Sequence, residues 1–175
     1  SPRGGAKSLS LWERWQCVSI DGEGKAAEKE ENTEEYIIMK KYLITGCAGF
    51  IGSNFVHYML KKYPEILLVN LDKLTYAGNL ENLKDVEGDP RHVFVQGDIC
   101  DKELVESLFA KYDFDYVINF AAESHVDRSI KNPEIFVQSN VMGTVNLLQR
   151  AKEAWYDAEA KTWKEGKKYL QVSTD

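Results

Sequence analysis

Three glycines, at positions 46, 49 and 52, stand between a short apolar run, Tyr42 to Thr45, and a stretch where Phe55, Val56, Met59 and Leu60 recur at helical spacing. A strand that turns at once into a helix leaves the first-turn N–H groups of that helix unpaired and puts the positive end of its dipole at the turn. Such a turn is suited to holding a phosphate. In Thr45-Gly46-Cys47-Ala48-Gly49-Phe50-Ile51-Gly52, Gly46 permits the tight turn, Gly49 lets the backbone approach a pyrophosphate, and Gly52 lets helix and strand pack closely. The spacing is G-x-x-G-x-x-G, not G-x-G-x-x-G, and glycines also serve ordinary turns. The strand before and the helix after are what give the triplet weight.

The same alternation continues along the chain. Ile66 to Leu71 is a second buried-strand run, His92 to Val95 a weaker third, Tyr116 to Phe120 a fourth and Lys168 to Ser173 a fifth. Asp101 to Tyr112 reads as a helix with Leu104, Leu108 and Phe109 inward. Asn132-Pro133-Glu134 opens a long helix in which Phe136, Val137, Val141, Val145, Leu148 and Ala151 form the expected buried stripe. Strands joined through helices predict right-handed crossovers. The expected fold is therefore a doubly wound α/β domain with a parallel, Rossmann-like sheet over residues 39–175, breaking off after the fifth strand, with ligands at the carboxyl ends of the strands. Residues 1–38 keep no period for long, and the run Glu28 to Glu35 is acidic apart from Lys29, Asn32 and Thr33. They are expected to be a poorly ordered or non-native extension whose Leu9, Leu11, Trp12 and Trp15 offer at most one amphipathic turn for a partner. Arg3 and Lys7 are followed by no apolar stretch of the kind a signal peptide needs.

Charge and cysteine content narrow the partners. Lys+Arg 22 against Asp+Glu 28 leaves a net charge of −6, so no basic field draws in a nucleic acid or an anionic bilayer. No apolar run approaches the roughly 18 residues of a membrane span. Cys17, Cys47 and Cys100 form no C-x-x-C pair, so neither a disulfide framework nor a thiolate metal site is expected, and a cytoplasmic setting fits best.

Asp72 stands at the end of the second strand, 20 residues after Gly52. A carboxylate there can accept both hydroxyls of an adenosine ribose and repel a 2′-phosphate, which points to NAD rather than NADP. Lys73 offers a cation that would partly offset that repulsion, and an ordinary turn Asp is the alternative. Asp98, in Gly97-Asp98-Ile99, either accepts from an adenine amino group or caps the next helix.

These residues carry a family resemblance. Residues 39–175 resemble the extended short-chain dehydrogenase/reductase superfamily and, within it, the dTDP-glucose 4,6-dehydratase family. The glycine loop indicates only the superfamily. The more specific matches are Asp72-Lys73-Leu74-Thr75-Tyr76-Ala77-Gly78-Asn79-Leu80, Gly97-Asp98-Ile99-Cys100-Asp101 and Ala121-Ala122-Glu123-Ser124-His125-Val126-Asp127-Arg128-Ser129, and together they cover the cofactor half of such an enzyme.

The resemblance implies that Phe50 and Ile51 line the pyrophosphate, that Asp72, Lys73, Leu74 and Thr75 line the adenosine ribose, and that Asp98 and Ile99 line the adenine. Phe120, Ala121, Ala122, Glu123 and Ser124 would pass beneath the nicotinamide half, with Ser124 facing the sugar nucleotide and Ser139 facing the cofactor side. Ser173-Thr174-Asp175 matches the start of the family's Ser-Thr-Asp-Glu stretch, in which Thr174 would touch the hexose and Asp175 would protonate the leaving hydroxyl as the catalytic acid. The implied partner is dTDP-glucose, dehydrated through transient hydride transfer to NAD in a homodimeric enzyme. The Glu base and the Tyr-x-x-x-Lys pair of the family do not fall within the 175 residues, so this chain alone is expected to be inactive.

Tyr36/Lys40 and Tyr58/Lys62 match the Tyr-x-x-x-Lys spacing, but they sit before the first strand and on the first helix, away from a nicotinamide. His125 either makes a local structural hydrogen bond or touches cofactor or substrate. Cys47 is a small filler unless the helix N-terminus activates its thiol. His57 and His92 imply no metal cluster. Lys161, Lys164, Glu165, Lys167 and Lys168 read as a solvated helix end and loop. Two other functions stay open: a nucleotide-sugar 4-epimerase or decarboxylase of the same superfamily, and a non-catalytic NAD-binding module.

Overall fold

Side chains of a strand point alternately to its two faces, so a strand apolar at every position must be covered on both. A computed structural model describes residues 39–173. In chain order its elements are β1 (Lys40–Thr45), α1 (Phe50–Lys62), β2 (Ile66–Asp72), a 3-10 helix (Leu80–Val86), β3 (His92–Gln96), α2 (Lys102–Tyr112), β4 (Tyr116–Asn119), α3 (Val126–Lys131), α4 (Pro133–Phe136), a π-helical segment (Val137–Gly143), α5 (Thr144–Trp155), β5 (Tyr156–Asp157), β6 (Thr162–Trp163) and β7 (Lys168–Gln171). Five strands form one sheet in the order β3-β2-β1-β4-β7, every pair parallel. Thr45 is in register with Leu71 on one side and Asn119 on the other. The strand order reverses between β1 and β4, and a crevice opens at such a reversal at the carboxyl ends of the strands.

Along β1 and β2 the alternation is strict. Leu43, Val69 and Leu71 join Val105, Leu108, Phe109, Leu147, Ala151 and Trp155 on one face, which is covered by α2 and α5. Ile44, Ile66 and Leu68 join Val56, Met59, Leu60 and Leu83 on the other, under α1 and the 3-10 helix. The doubly wound, parallel sheet expected from the sequence is the observed fold. Asp101 caps α2 by accepting from the Leu104 N–H at 3.0 Å. The cap alternative for Asp98 is thereby removed.

Several expectations are corrected. The long helix does begin at Asn132-Pro133, but Asn132 makes no side-chain cap bond, and the helix passes through a π-helical segment before α5. Val137, Val141, Val145 and Leu148 are exposed rather than buried. The face turned inward is Gly143, Leu147, Ala151 and Trp155, four residues apart each time. Asn146 donates to the Ile99 carbonyl at 2.8 Å, and a Cβ on Gly143 would come within 2.5 Å of Ile99 Cδ1, so this face is held tightly to the sheet. The fourth strand stops at Asn119 and the last at Gln171, short of Phe120 and Ser173. The lysine-rich tract is not a solvated loop throughout. Thr162–Trp163 pairs with Tyr156–Asp157 in an antiparallel hairpin, and the mostly buried Lys167 ammonium bonds Asp113 at 3.3 Å and Asp115 at 3.4 Å.

Candidate functional site

At the reversal of strand order lies a cleft of about 550 Å³. Its floor is the turn from β1 to α1. Gly46 has φ +67°, and a Cβ there would lie 2.7 Å from the Ala121 nitrogen, so both backbone conformation and space require glycine. A Cβ on Gly52 would collide with the Gly46 carbonyl oxygen and come within 2.9 Å of Cys47 Cα. Gly49 differs, since a Cβ would meet no protein atom closer than 3.4 Å. The protein itself tolerates a side chain there, so what the bare backbone leaves free is space in the cleft. Gly49 is also the N-cap of α1, offers no side chain to the first-turn amides, and is followed by no acidic residue in that turn. Neither a cap side chain nor a first-turn acid of the helix itself therefore occupies its anion-favouring end.

Asp72 is buried beside this turn. Its Oδ2 accepts from the Ala48 N–H at 2.9 Å and its Oδ1 from the Leu74 N–H at 2.8 Å. Each oxygen of a carboxylate has about two acceptor sites, so one on each remains for a ligand. The Asp is thus a turn residue and a free acceptor together. Lys73 Nζ lies 2.6 Å from Asp98 Oδ2, while Asp98 Oδ1 accepts from the Cys100 N–H at 2.9 Å. Burial works against the ionised Asp98, but the Lys73 ammonium and the Cys100 amide outweigh it and hold its pKa below the ordinary carboxylate value. The hydrogen bond to Asp98 raises that of Lys73.

The opposite wall is the segment after β4. The Glu123 N–H donates to Asn140 Oδ1 and the Asn140 amide returns a bond to the Glu123 carbonyl, each at 2.8 Å. The Glu123 side chain is buried, and its Oε2 has no protein partner. A buried orphan oxygen beside an open cleft fits a ligand that donates to it. Phe50 and Ile51 stand at the mouth, 83% and 60% exposed, leaving large apolar surface for a ligand to cover.

The structure brings together Gly46, Gly49, Phe50, Ile51, Gly52, Asp72, Lys73, Thr75, Asp98, Ile99, Phe120, Ala121, Ala122, Glu123, Ser124 and Ser139 around this one cleft. Leu74 is the exception. Its φ is +56°, and its side chain turns away to pack on the core beneath α1, so only its amide serves the site, through Asp72. Thr174, Asp175 and residues 1–38, including Tyr36, lie outside the described residues. Lys62 Nζ donates to the Tyr58 hydroxyl at 2.6 Å on an exposed part of α1, away from the cleft. His125 makes no side-chain cap bond at the start of α3, and its ring meets Tyr76 edge-on at 6.3 Å. Cys47 is fully buried, and that burial, reinforced by the Asp72 charge, pushes its thiol pKa far up, so it is a filler and not a nucleophile. Among the described residues no three potential metal ligands cluster, and no helix is long and apolar enough to cross a membrane.

A polar network that the sequence did not announce supports the floor. Thr45 donates to Asn119 Oδ1, which also accepts from the Ala121 N–H at 3.1 Å. The Asn119 amide donates to Gln171 Oε1 at 2.9 Å and to Thr144 Oγ1 at 3.4 Å. The available signal was a polar residue, Thr45, Asn119 or Gln171, ending each of three apolar strands.

A parallel sheet that reverses order over a glycine turn, with an acidic residue closing its second strand, defines a Rossmann-like α/β domain. Residues 43–175 match the family described as GDP-mannose 4,6 dehydratase, and the chain belongs to that family. It is 50% identical over 137 residues to a dTDP-glucose 4,6-dehydratase of Xanthomonas campestris, which covers 78% of this chain and 38% of that protein. The chain thus spans about two fifths of the length of the curated relatives it matches. The dTDP-glucose 4,6-dehydratase of Bacillus anthracis, crystallised in complex with NAD, superposes with a TM-score of 0.62 at 42% identity, over 77% of this chain and 37% of that one. A UDP-glucose 4-epimerase of Thermotoga maritima is more distant in sequence, at 29% identity, with a TM-score of 0.58 over 65% of this chain and 34% of that one.

Proposed function

We propose that this chain is the cofactor-binding part of an NAD-dependent dTDP-glucose 4,6-dehydratase, a lyase that forms dTDP-4-keto-6-deoxyglucose. The observation that carries the cofactor assignment is Asp72, a buried carboxylate with each oxygen engaged once by a backbone amide and one acceptor site left on each for vicinal hydroxyls. In this reading the bare turn from Gly46 to Gly52 holds the pyrophosphate, Asp98 and Ile99 bound the adenine, and Phe120 to Glu123 carry the nicotinamide half, with Ser139 on the cofactor side. Ser124 and Thr174 face the sugar, and Asp175 gives a proton to the departing C6 hydroxyl. NAD, when bound, supplies a hydride acceptor at C4 that later becomes the donor to C6. The buried Glu123 oxygen gains a donor from the ligand, and the apolar Phe50 and Ile51 exclude water from the mouth. The dehydratase relatives at 42–50% identity favour this reaction over the epimerase at 29%.

The 175 residues alone are proposed to bind cofactor without turnover, because they are assigned an acid and no base. The enzyme is proposed to be a cytoplasmic homodimer that needs neither nucleic acid nor membrane, with the exposed Val137, Val141, Val145 and Leu148 stripe as a surface for the second copy. The test is to incubate the full-length protein with dTDP-glucose and follow the product by mass. Loss of one water with formation of a 4-keto sugar is expected. Inversion at C4 without loss of water would make it an epimerase, and tight NAD binding with no sugar chemistry would make it a binding module.

A further inference from the structure

The structure assigns Asp98 a role in cofactor selection: by holding the Lys73 ammonium, it withholds the cleft's cation from the 2′ position of the ribose, so that a 2′-phosphorylated dinucleotide is rejected. This rests on the NAD assignment above and concerns which adenosine that site takes. Asp72 by itself is an incomplete filter, because the next residue along the chain is a lysine whose charge would offset the carboxylate. Among the described residues lining the cleft, Lys73 is the one cation, set against Asp72, Asp98 and Glu123. Its Nζ does not stand free, being 2.6 Å from Asp98 Oδ2. Asp98 is not placed by the lysine alone, since its Oδ1 is fixed by the Cys100 N–H at 2.9 Å in the turn after β3. The turn sets the carboxylate and the carboxylate collects the lysine.

The pair is poorly suited to a purely structural role. Lys73 is 57% exposed in its side chain, and ion pairs as open as this contribute little to stability. Its consequence lies in the local charge. With Asp98 ionised, the adenosine end carries two carboxylates and one ammonium. A ribose 2′-phosphate, with a charge of about −1.5 to −2, then meets a net negative surface with no available donor cation. Without the Asp98 charge, the same end is neutral and Lys73 becomes free to reach a phosphate.

The test uses the full-length protein and two fragments of the cofactor, ADP and 2′,5′-ADP, with dissociation constants measured by calorimetry. The variants are Asp98→Asn, whose side-chain oxygen can still accept from Cys100, and Asp98→Asn combined with Lys73→Met, which keeps the lysine stem. Any loss of an adenine contact weakens both ligands alike and cancels in their ratio. The wild-type protein is expected to prefer ADP. Asp98→Asn is expected to shift the ratio toward 2′,5′-ADP by about tenfold, the size of one charge-assisted hydrogen bond. High salt should erode the shift, and the double variant should abolish it. If Asp98→Asn does not fold, Asp98→Ser carries the same test, because its hydroxyl can accept from Cys100. An unchanged ratio in a folded variant that still binds ADP overturns the proposal and leaves the NAD assignment standing, as does a shift that survives in the double variant. A wild-type protein that binds neither ADP nor NAD overturns both.

Discussion

Asp72→Asn is nearly isosteric, yet it should be one of the more damaging changes near the cleft even with no ligand present. The carboxylate accepts from two backbone amides, Ala48 at 2.9 Å and Leu74 at 2.8 Å, one on each oxygen, in a buried position. An amide side chain has one oxygen and one NH₂, so whichever way it turns, a donor faces a donor. One charge-assisted bond is lost, a buried N–H is left unpaired, and the surviving bond becomes neutral. A net hydrogen bond to a charged group contributes about 1.5–3 kcal/mol and an orphaned buried donor costs about 1–3 kcal/mol, with the two overlapping in part, so a loss of about 2–3 kcal/mol is expected. Urea unfolding of apo protein, followed by far-UV circular dichroism, measures it as a lower midpoint at unchanged slope. ADP affinity should fall by at least about tenfold in the folded variant, since the acceptors for the ribose go with the charge. A midpoint within error of wild type would refute the claim that both amides depend on the carboxylate. A stable variant with weak ADP binding would show that Asp72 serves the ligand alone.

Three further outcomes follow from the packing. Gly52→Ala should lose about 2 kcal/mol or more and give less folded protein, because a Cβ there meets backbone, the Gly46 carbonyl and Cys47 Cα, rather than a side chain that can move; thermal melting checks it. Trp155→Phe should cost about 1–2 kcal/mol in urea unfolding, from the lost 2.9 Å indole bond to the Phe114 carbonyl and a small void; because Lys167 Nζ also reaches that carbonyl at 3.0 Å, the acceptor is not orphaned. Burial pushes the His92 pKa below its usual 6.5, and its Nε2 has no partner, so folding disfavours the charged ring. Its contribution is intact above pH 6.5 and is lost as the pH falls below that value. His92→Gln should flatten the decline in urea midpoint between pH 7 and pH 5, and an unchanged slope would contradict this.

The alternation of strands and helices was legible because each apolar run is fixed by its own residues and needs no knowledge of its neighbours. The orientation of the last long helix was not. Val137, Val141, Val145 and Leu148 make a more apolar stripe than Gly143, Leu147, Ala151 and Trp155, and periodicity alone favours the richer one. What decides the inward face is the turn after β3: the Ile99 side chain crowds any side chain at Gly143, and the Ile99 carbonyl takes the Asn146 amide. Gly46, Gly49, Gly52 and Asp72 were legible through the glycine turn and the strand-end carboxylate, both local patterns, whereas Phe120 to Ser124 and Ser139 were picked out only by the family resemblance. Asn119, Asn140, Thr144 and Gln171 escaped because the partners that tie them into the site lie 17 to 74 residues away in sequence, a separation no local pattern reports.

The two ends of the cleft are built differently, and this bears on where it can adapt. At the end of the cleft beside Asp72 a single residue, Ala48, joins three elements. Its N–H bonds Asp72 at the end of β2, and its carbonyl accepts from the Asn79 N–H at 3.0 Å and the Asn82 amide at 2.9 Å at the start of the 3-10 helix. A Cβ at Gly78 would come within 2.9 Å of Asp72 Oδ1, so this corner has no slack. In the proposed reading, the ordering cost of ribose and pyrophosphate contacts would be met in folding, which would favour binding through preorganisation. The other wall hangs on the paired bonds between Glu123 and Asn140, and Asn140 belongs to the π-helical segment. Ser124 next to it is exposed, and the Glu123 carboxylate still lacks one partner. Rigidity is concentrated where a common cofactor fragment would bind, and unspent hydrogen-bonding capacity is left where, in the proposed reading, the chemistry of a particular substrate would be met.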